Sequence, residues 1–173
     1  MLFRSEHRAS GVSDAVLKRM QSYELVLRGG VGLFAASENV ERAQWRDYVA
    51  SLKIQEQYPG IQGISFVIHI PAAHLDAHLR TIRAEGFPDY AIHPAGVRAE
   101  YTSIIYLEPF DWRNQRAFGF DMYSEANRRA AMEHARDTGS TAISAKVTLV
   151  QEVSTKVQPG IVMYLPIYKR KMS

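Results

Sequence analysis

Asp121 is the side chain whose setting most plainly calls for a chemical partner. It closes the aromatic, glycine-spaced segment Phe118-Gly119-Phe120-Asp121 and is followed by Met122. A carboxylate between Phe120 and Met122 is partly desolvated and needs donors. A ligand bearing N–H or ammonium groups would supply them, and so would the backbone N–H groups of the turn 122–125. Residue type and spacing leave those two readings level. His74 and His78 stand four apart with Asp76 between them, so a helix puts both on one face. Two ligands on one turn need a third to hold a metal, and this segment offers none. The pair reads as solvent-facing neighbours of Leu75 and Leu79. His69, His93 and His134 have no companion motif. Glu100, Glu108, Asp111 and Asp121 could supply an acid–base pair, but sequence fixes no separation between them. There is no Gly-x-Ser-x-Gly elbow, and the chain has no cysteine for a nucleophile, a disulfide or a thiolate metal site. Neither an enzyme nor a cofactor is expected.

The elements that must position Asp121 can be read from the apolar periodicity. Val16, Met20, Tyr23, Leu27, Gly30 and Phe34 step by four and three, a heptad-like stripe on a helix of about six turns. Gly29, Gly30 and Gly32 interrupt it, which suits a crossing point where another element packs close. The glycines do not form a phosphate loop, since no Gly-Lys-Ser/Thr follows them. A second helix is expected after Ser37 or Asn39, with Trp45, Val49 and Leu52 on one face. After Tyr58-Pro59-Gly60 the period becomes two, and Ile64, Phe66, Ile68 and Ile70 mark a strand. Pro71 is expected to open a helix with the stripe Leu75, Leu79 and Ile82. Further strands are expected over 90–93 and 101–107, with a short extended piece over 118–121. Ser124 should cap a helix over 125–138 that Gly139 ends. Two long strands, 141–151 and 161–168, would close the chain around a polar loop through Thr155 and Pro159. The fold class is α+β: a long N-terminal helix and a second helix packed on a PAS-like antiparallel sheet.

The composition excludes several classes of function. With 173 residues, 46% hydrophobic and 23% charged, the chain can bury roughly 70% of its unfolded surface, so one real core is expected. The net charge is +3, but Lys169, Arg170 and Lys171 carry all of it. The body is therefore neutral, and no nucleic-acid partner is expected. No apolar run approaches a membrane span, and the N-terminus lacks a signal-peptide core, so the chain by itself reads as soluble.

Several separated motifs resemble bacterial CHASE domains. They include Tyr23-Glu24-Leu25-Val26-Leu27-Arg28-Gly29-Gly30-Val31-Gly32-Leu33-Phe34 and Tyr58-Pro59-Gly60-Ile61-Gln62-Gly63-Ile64. Tyr106-Leu107-Glu108-Pro109, Gly119-Phe120-Asp121-Met122, Ala135-Arg136-Asp137-Thr138-Gly139 and Tyr164-Leu165-Pro166-Ile167-Tyr168 follow in the same order. The resemblance runs from about residue 15 to about residue 168. It implies an extracytoplasmic, periplasmic sensor domain anchored in the inner membrane through its parent receptor, whose output is a histidine kinase or a diguanylate or adenylate cyclase. It also implies a homodimer through the N-terminal helix, with residues 1–56 as helical stalk and 57–173 as PAS-like sensing part. The related plant cytokinin receptors bind N6-substituted adenines. That likeness nominates Asp121 and the Ile143 backbone as ligand contacts, with Tyr101 and Tyr164 as pocket walls, and an adenine-like small molecule as ligand class. Two departures stand out: Ser103 where the family usually has proline, and Tyr164 where the cytokinin receptors carry a smaller side chain. The rival expectation is a dimerising spacer whose pocket is filled by its own side chains. Because the family pattern continues past the last strand, the chain reads as a piece of a larger receptor or a shortened relative.

Overall fold

The computed structural model describes residues 3–151 and 159–168. Helix α1 (Phe3–Ala36) is longer than expected and runs straight through the glycines. Tertiary contact explains why they do not end it. A Cβ on Gly29 would lie 2.5 Å from Tyr48 Oη, and one on Gly30 would lie 3.5 Å from the Trp45 ring, whereas Gly32 faces open space. Two of the three glycines thus let helix α2 (Arg42–Ser51) pack closely, and the Tyr48 hydroxyl donates to the Val26 carbonyl at 2.6 Å. The stripe is covered from Met20 onward, while Val16, Leu17 and Leu25 remain exposed.

Helix α2 begins at Arg42, later than Ser37 or Asn39 would have it, because Gln44 reaches back to accept the Glu41 N–H at 2.8 Å. A single turn, α3 (Ile54–Gln57), leads to strand β1 (Ile64–Pro71). Pro71 does not open a helix. It ends β1, opposite Glu100, and a 3-10 turn over Ala72–His74 intervenes before α4 (Leu75–Ala84). Strand β2 (Glu100–Glu108) pairs antiparallel with β1, with a register shift between Phe66 and Val67.

β2 is the central element: residues Tyr101 to Ile105 are all buried. On one side Trp45, Val49, Val26 and Ile64 form a core with Phe34, Phe66 and Tyr106 packed against it. Ile105 joins Ile82 and Tyr90 in a second cluster, and Ile104 joins Leu107, Ala117 and Met122 in a third. Arg42 ties the helices to the sheet. Its guanidinium donates to the Ile105 carbonyl at 2.6 Å and to Glu85 at 2.8 Å, and lies over the rings of Phe87, Tyr106 and Phe118.

The second half departs further from expectation. No strand forms over 90–93; only His93 bridges, to Phe120, and Asp121 bridges to Ser103. Helix α5 (Ala126–Thr138) is capped by Glu125, not Ser124, since the longer carboxylate accepts the N–H groups of Asn127 and Arg128. Ser124 Oγ turns back to the Asp121 carbonyl. Gly139 closes α5 in the left-handed conformation, as its position suggested.

The two long closing strands are replaced by short pieces: β3 (Ala142–Ile143) with β6 (Met163–Tyr164), and β4 (Val147–Thr148) with β5 (Pro159–Gly160). Ser144 accounts for the break. Its Oγ accepts the Val162 N–H at 3.0 Å, so a side chain substitutes for the next ladder carbonyl and the strand bends. Thr155 lies outside the described residues. Mixed helices and antiparallel sheets make the fold α+β, as the periodicity indicated.

Candidate functional site

Asp121 is completely buried, and its backbone is fixed from both sides. The Asp121 N–H donates to the His93 carbonyl at 2.8 Å, and the Asp121 carbonyl accepts the Ser124 N–H at 3.1 Å. The turn before it depends on Gly119, whose φ of 86° lies in the left-handed region and whose added Cβ would run into the Ala91 carbonyl oxygen. Gly119→Ala should therefore cost more than about 2 kcal/mol of stability, read from urea unfolding midpoints.

The two carboxylate oxygens have different lives. Oδ1 accepts the Thr102 N–H at 2.9 Å, the Thr102 hydroxyl at 3.1 Å and the Tyr123 N–H at 3.2 Å. Tyr123 belongs to the turn that sequence alone offered as a partner, so for this oxygen that reading holds. Among the described residues Oδ2, which is buried, has no hydrogen bond, and its nearest cation is Arg98 Nε at 3.5 Å. Tyr101 joins the same cluster, because its hydroxyl accepts the Arg98 N–H and its ring lies beneath the guanidinium. Sequence reasoning did not find Thr102 or Arg98. Thr102 stands beside Ser103 at the head of the β2 apolar run and is not marked out from it, and Arg98 sits in an irregular loop and gives no signal.

The other two nominated residues form a second group. Tyr164 pairs with Ala142 across β3 and β6, and Ile143 pairs with Met163. Burial pushes the Tyr164 hydroxyl pKa up to about 12, with the nearby Arg128 guanidinium opposing, and the hydroxyl makes no well-formed hydrogen bond among the described residues. Arg128 is itself buried against the Phe120 ring and donates to the Thr148 carbonyl at 3.0 Å. The Ile143 side chain is exposed, so only its backbone remains available for a pocket. Tyr101 thus meets Asp121 through Arg98, and Ile143 and Tyr164 lie on neighbouring strands, opposite Met163 and Ala142.

Behind Asp121 runs a polar chain. Ser103, fully buried, meets the Tyr90 hydroxyl at 2.7 Å, and Tyr90 meets His78 Nε2 at 2.9 Å. Burial lowers the His78 pKa below the ordinary imidazole value and raises that of Tyr90 to about 12. A histidine harder to protonate when folded contributes stability that is complete above its unfolded pKa. That contribution is lost as pH falls below about 6.5. His78→Gln should flatten this acid-side slope when urea midpoints are compared between neutral and mildly acidic pH.

His74 caps α4 in the open and shares no ligand set with His78; no group of three metal-binding side chains occurs among the described residues. The remaining carboxylates serve local turns or pairs: Asp111 accepts the N–H groups of Arg113 and Asn114, Glu108 that of Phe110, and Glu100 meets His69. A cleft of about 310 Å³ lies between α2, α3 and the end of β2, lined by Arg46, Val49, Lys53, Ile54, Glu108 and Pro109. None of the four nominated residues borders it. No helix among the described residues is long and apolar enough to cross a membrane.

No curated protein matches the chain. A family profile does, that of the CHASE domain, and it covers residues 38–173, including all four nominated residues and the partners of Asp121. With most of its length matched in this way, the chain belongs to the CHASE domain family.

Proposed function

We propose that this chain is the small-molecule-sensing domain of a bacterial transmembrane receptor whose output is a histidine kinase or a diguanylate or adenylate cyclase. CHASE domains are extracytoplasmic sensors and carry no catalysis themselves. The observation that carries the reading is the fully buried Asp121 carboxylate with one oxygen lacking a hydrogen bond. A buried acceptor of that kind is completed by a ligand that brings an N–H group. Asp121, Tyr101, Tyr164 and the Ile143 backbone would make the contacts, and an adenine-like molecule is the first class to try. Residues 1–56 would act as stalk and dimer contact, for which the exposed Val16, Leu17 and Leu25 on α1 are suitable. A ligand preferring one arrangement of the dimer would then bias signalling, with about 1–3 kcal/mol of coupling being typical.

A second reading, a dimerising spacer without a ligand, is favoured by one observation: Asp121 Oδ1 is already filled by the chain's own donors. A thermal-shift screen of purines, amines and amino acids separates the two, because anything that binds only the folded state raises the melting temperature. A reproducible shift supports the sensor. Silence across the screen leaves the spacer.

A further inference from the structure

Arg98 occupies the place that a ligand of Asp121 Oδ2 would need. Its Nε lies 3.5 Å from that oxygen, near enough for ion pairing and too far for a formed hydrogen bond. The Arg98 side chain is 23% exposed and Asp121 is 0% exposed, so the guanidinium stands between solvent and the carboxylate. No other cation comes within ion-pair distance of Asp121 among the described residues.

The bonds that hold Arg98 there are mostly internal to its own loop. Nη1 and Nη2 donate to the Pro94 carbonyl at 3.1 Å each, and Nη1 reaches the Gly96 carbonyl at 3.4 Å. The Arg98 N–H donates to the Tyr101 hydroxyl, which in turn donates to the Gly96 carbonyl, both at 3.1 Å. Gly96 has a φ of 151°, and Val97 at the tip packs against nothing, being 100% exposed. A movement of loop 94–99 would keep the three guanidinium bonds and would break the two at the buried Tyr101 hydroxyl and the one from the Ala72 N–H to the Ala99 carbonyl at 3.0 Å.

We infer that Arg98 is a tethered stand-in for the ligand, that the ligand is a small organic cation such as an amidinium or protonated amine, and that binding expels Arg98 and frees loop 94–99. This rests on the reading of Asp121 as a ligand contact. Charge balance supplies the exclusivity: one buried carboxylate holds one cation, and a second at the same oxygen would be repelled. A tethered competitor lowers apparent affinity by the fraction of time it leaves the site open. The device therefore sets the threshold of the sensor and couples occupancy to a loop movement beside β2.

Methylguanidinium chloride is the probe, with tetramethylammonium chloride, which has no N–H, as the ionic-strength control. Arg98→Met keeps an unbranched apolar side chain and removes the competitor. Methylguanidinium should bind this variant about ten- to a hundredfold more tightly than wild type, and the Arg98→Met/Asp121→Asn double variant about as weakly as the control. Equal affinity in wild type and Arg98→Met overturns the inference, as does undiminished binding in the double variant. If Arg98→Met does not fold, amide exchange in the wild type decides: the Arg98 N–H should exchange faster with probe present, and an unchanged rate overturns the inference. A neutral purine that binds through Asp121 while methylguanidinium binds neither protein would sink this inference and leave the sensor reading standing. Silence from every compound in both proteins removes both.

Discussion

Asp121→Ala should destabilise the folded chain by about 3–5 kcal/mol, because two buried donors of Thr102 lose their acceptor. The carboxylate is the acceptor for the buried Thr102 N–H and hydroxyl, while the Tyr123 N–H, shared with it at 3.2 Å, keeps Thr102 Oγ1 at 2.8 Å. Each buried donor left without an acceptor costs about 1–3 kcal/mol, and Arg98 loses its counter-charge. Asp121→Asn separates architecture from recognition. It retains an oxygen for the three donors, so the cost should be smaller, about 1–2 kcal/mol. Its amide turns a donor toward Arg98 in place of an anion, so recognition of an N–H-bearing ligand is lost while the fold survives. Urea unfolding followed by circular dichroism measures both variants, and an unchanged m-value shows that the same surface is exposed on unfolding.

Trp45→Ala should cost about 3–5 kcal/mol, as expected for deleting a large buried aromatic. Trp45 is 3% exposed and lies 5.8 to 6.5 Å, ring centre to ring centre, from Phe34, Tyr48, Phe66 and Tyr106. Those rings come from α1, α2, β1 and β2, so the loss is felt where the helical pair meets the sheet. Trp45→Phe should cost much less, since the indole Nε1 has no hydrogen-bond partner to forfeit. Circular dichroism is the proper readout, because fluorescence would then report only Trp112, which is exposed. A cost for Trp45→Ala near 1 kcal/mol would show that α1 and α2 are not held by this core.

Long periodic segments were legible in the sequence, and segments shaped by side-chain hydrogen bonds were not. The stripe from Met20 to Phe34, the alternation of Ile64 to Ile70 and the Gly139 stop all reflect backbone geometry that repeats or terminates locally. Caps were harder, because Glu41 and Glu125 displaced the expected shorter polar residues through partners that only the folded turn brings near. The closing strands looked long because residues 141–151 alternate well; Ser144 bends them by a bond to Val162, eighteen residues away. The site shows the same division. Asp121 was conspicuous as a carboxylate among apolar neighbours, and its turn partner Tyr123 followed from spacing. Thr102 and Arg98 reach it across tertiary distance, and no local pattern marks an arginine in a loop as the cation of a buried acid. Tyr164 enters through the family resemblance as a pocket wall, and what distinguishes it in the fold is a buried hydroxyl beside Arg128.

Sensing through Asp121 is tested by isothermal titration of the strongest compound from the thermal-shift screen into wild type and Asp121→Asn. Measurable binding to the wild type is expected, with a loss of about tenfold or more in the variant, the worth of a hydrogen bond to a charged group. Equal affinity in two equally folded proteins would contradict it, and would return Asp121 to the role of a buried brace between β2 and the turn before α5.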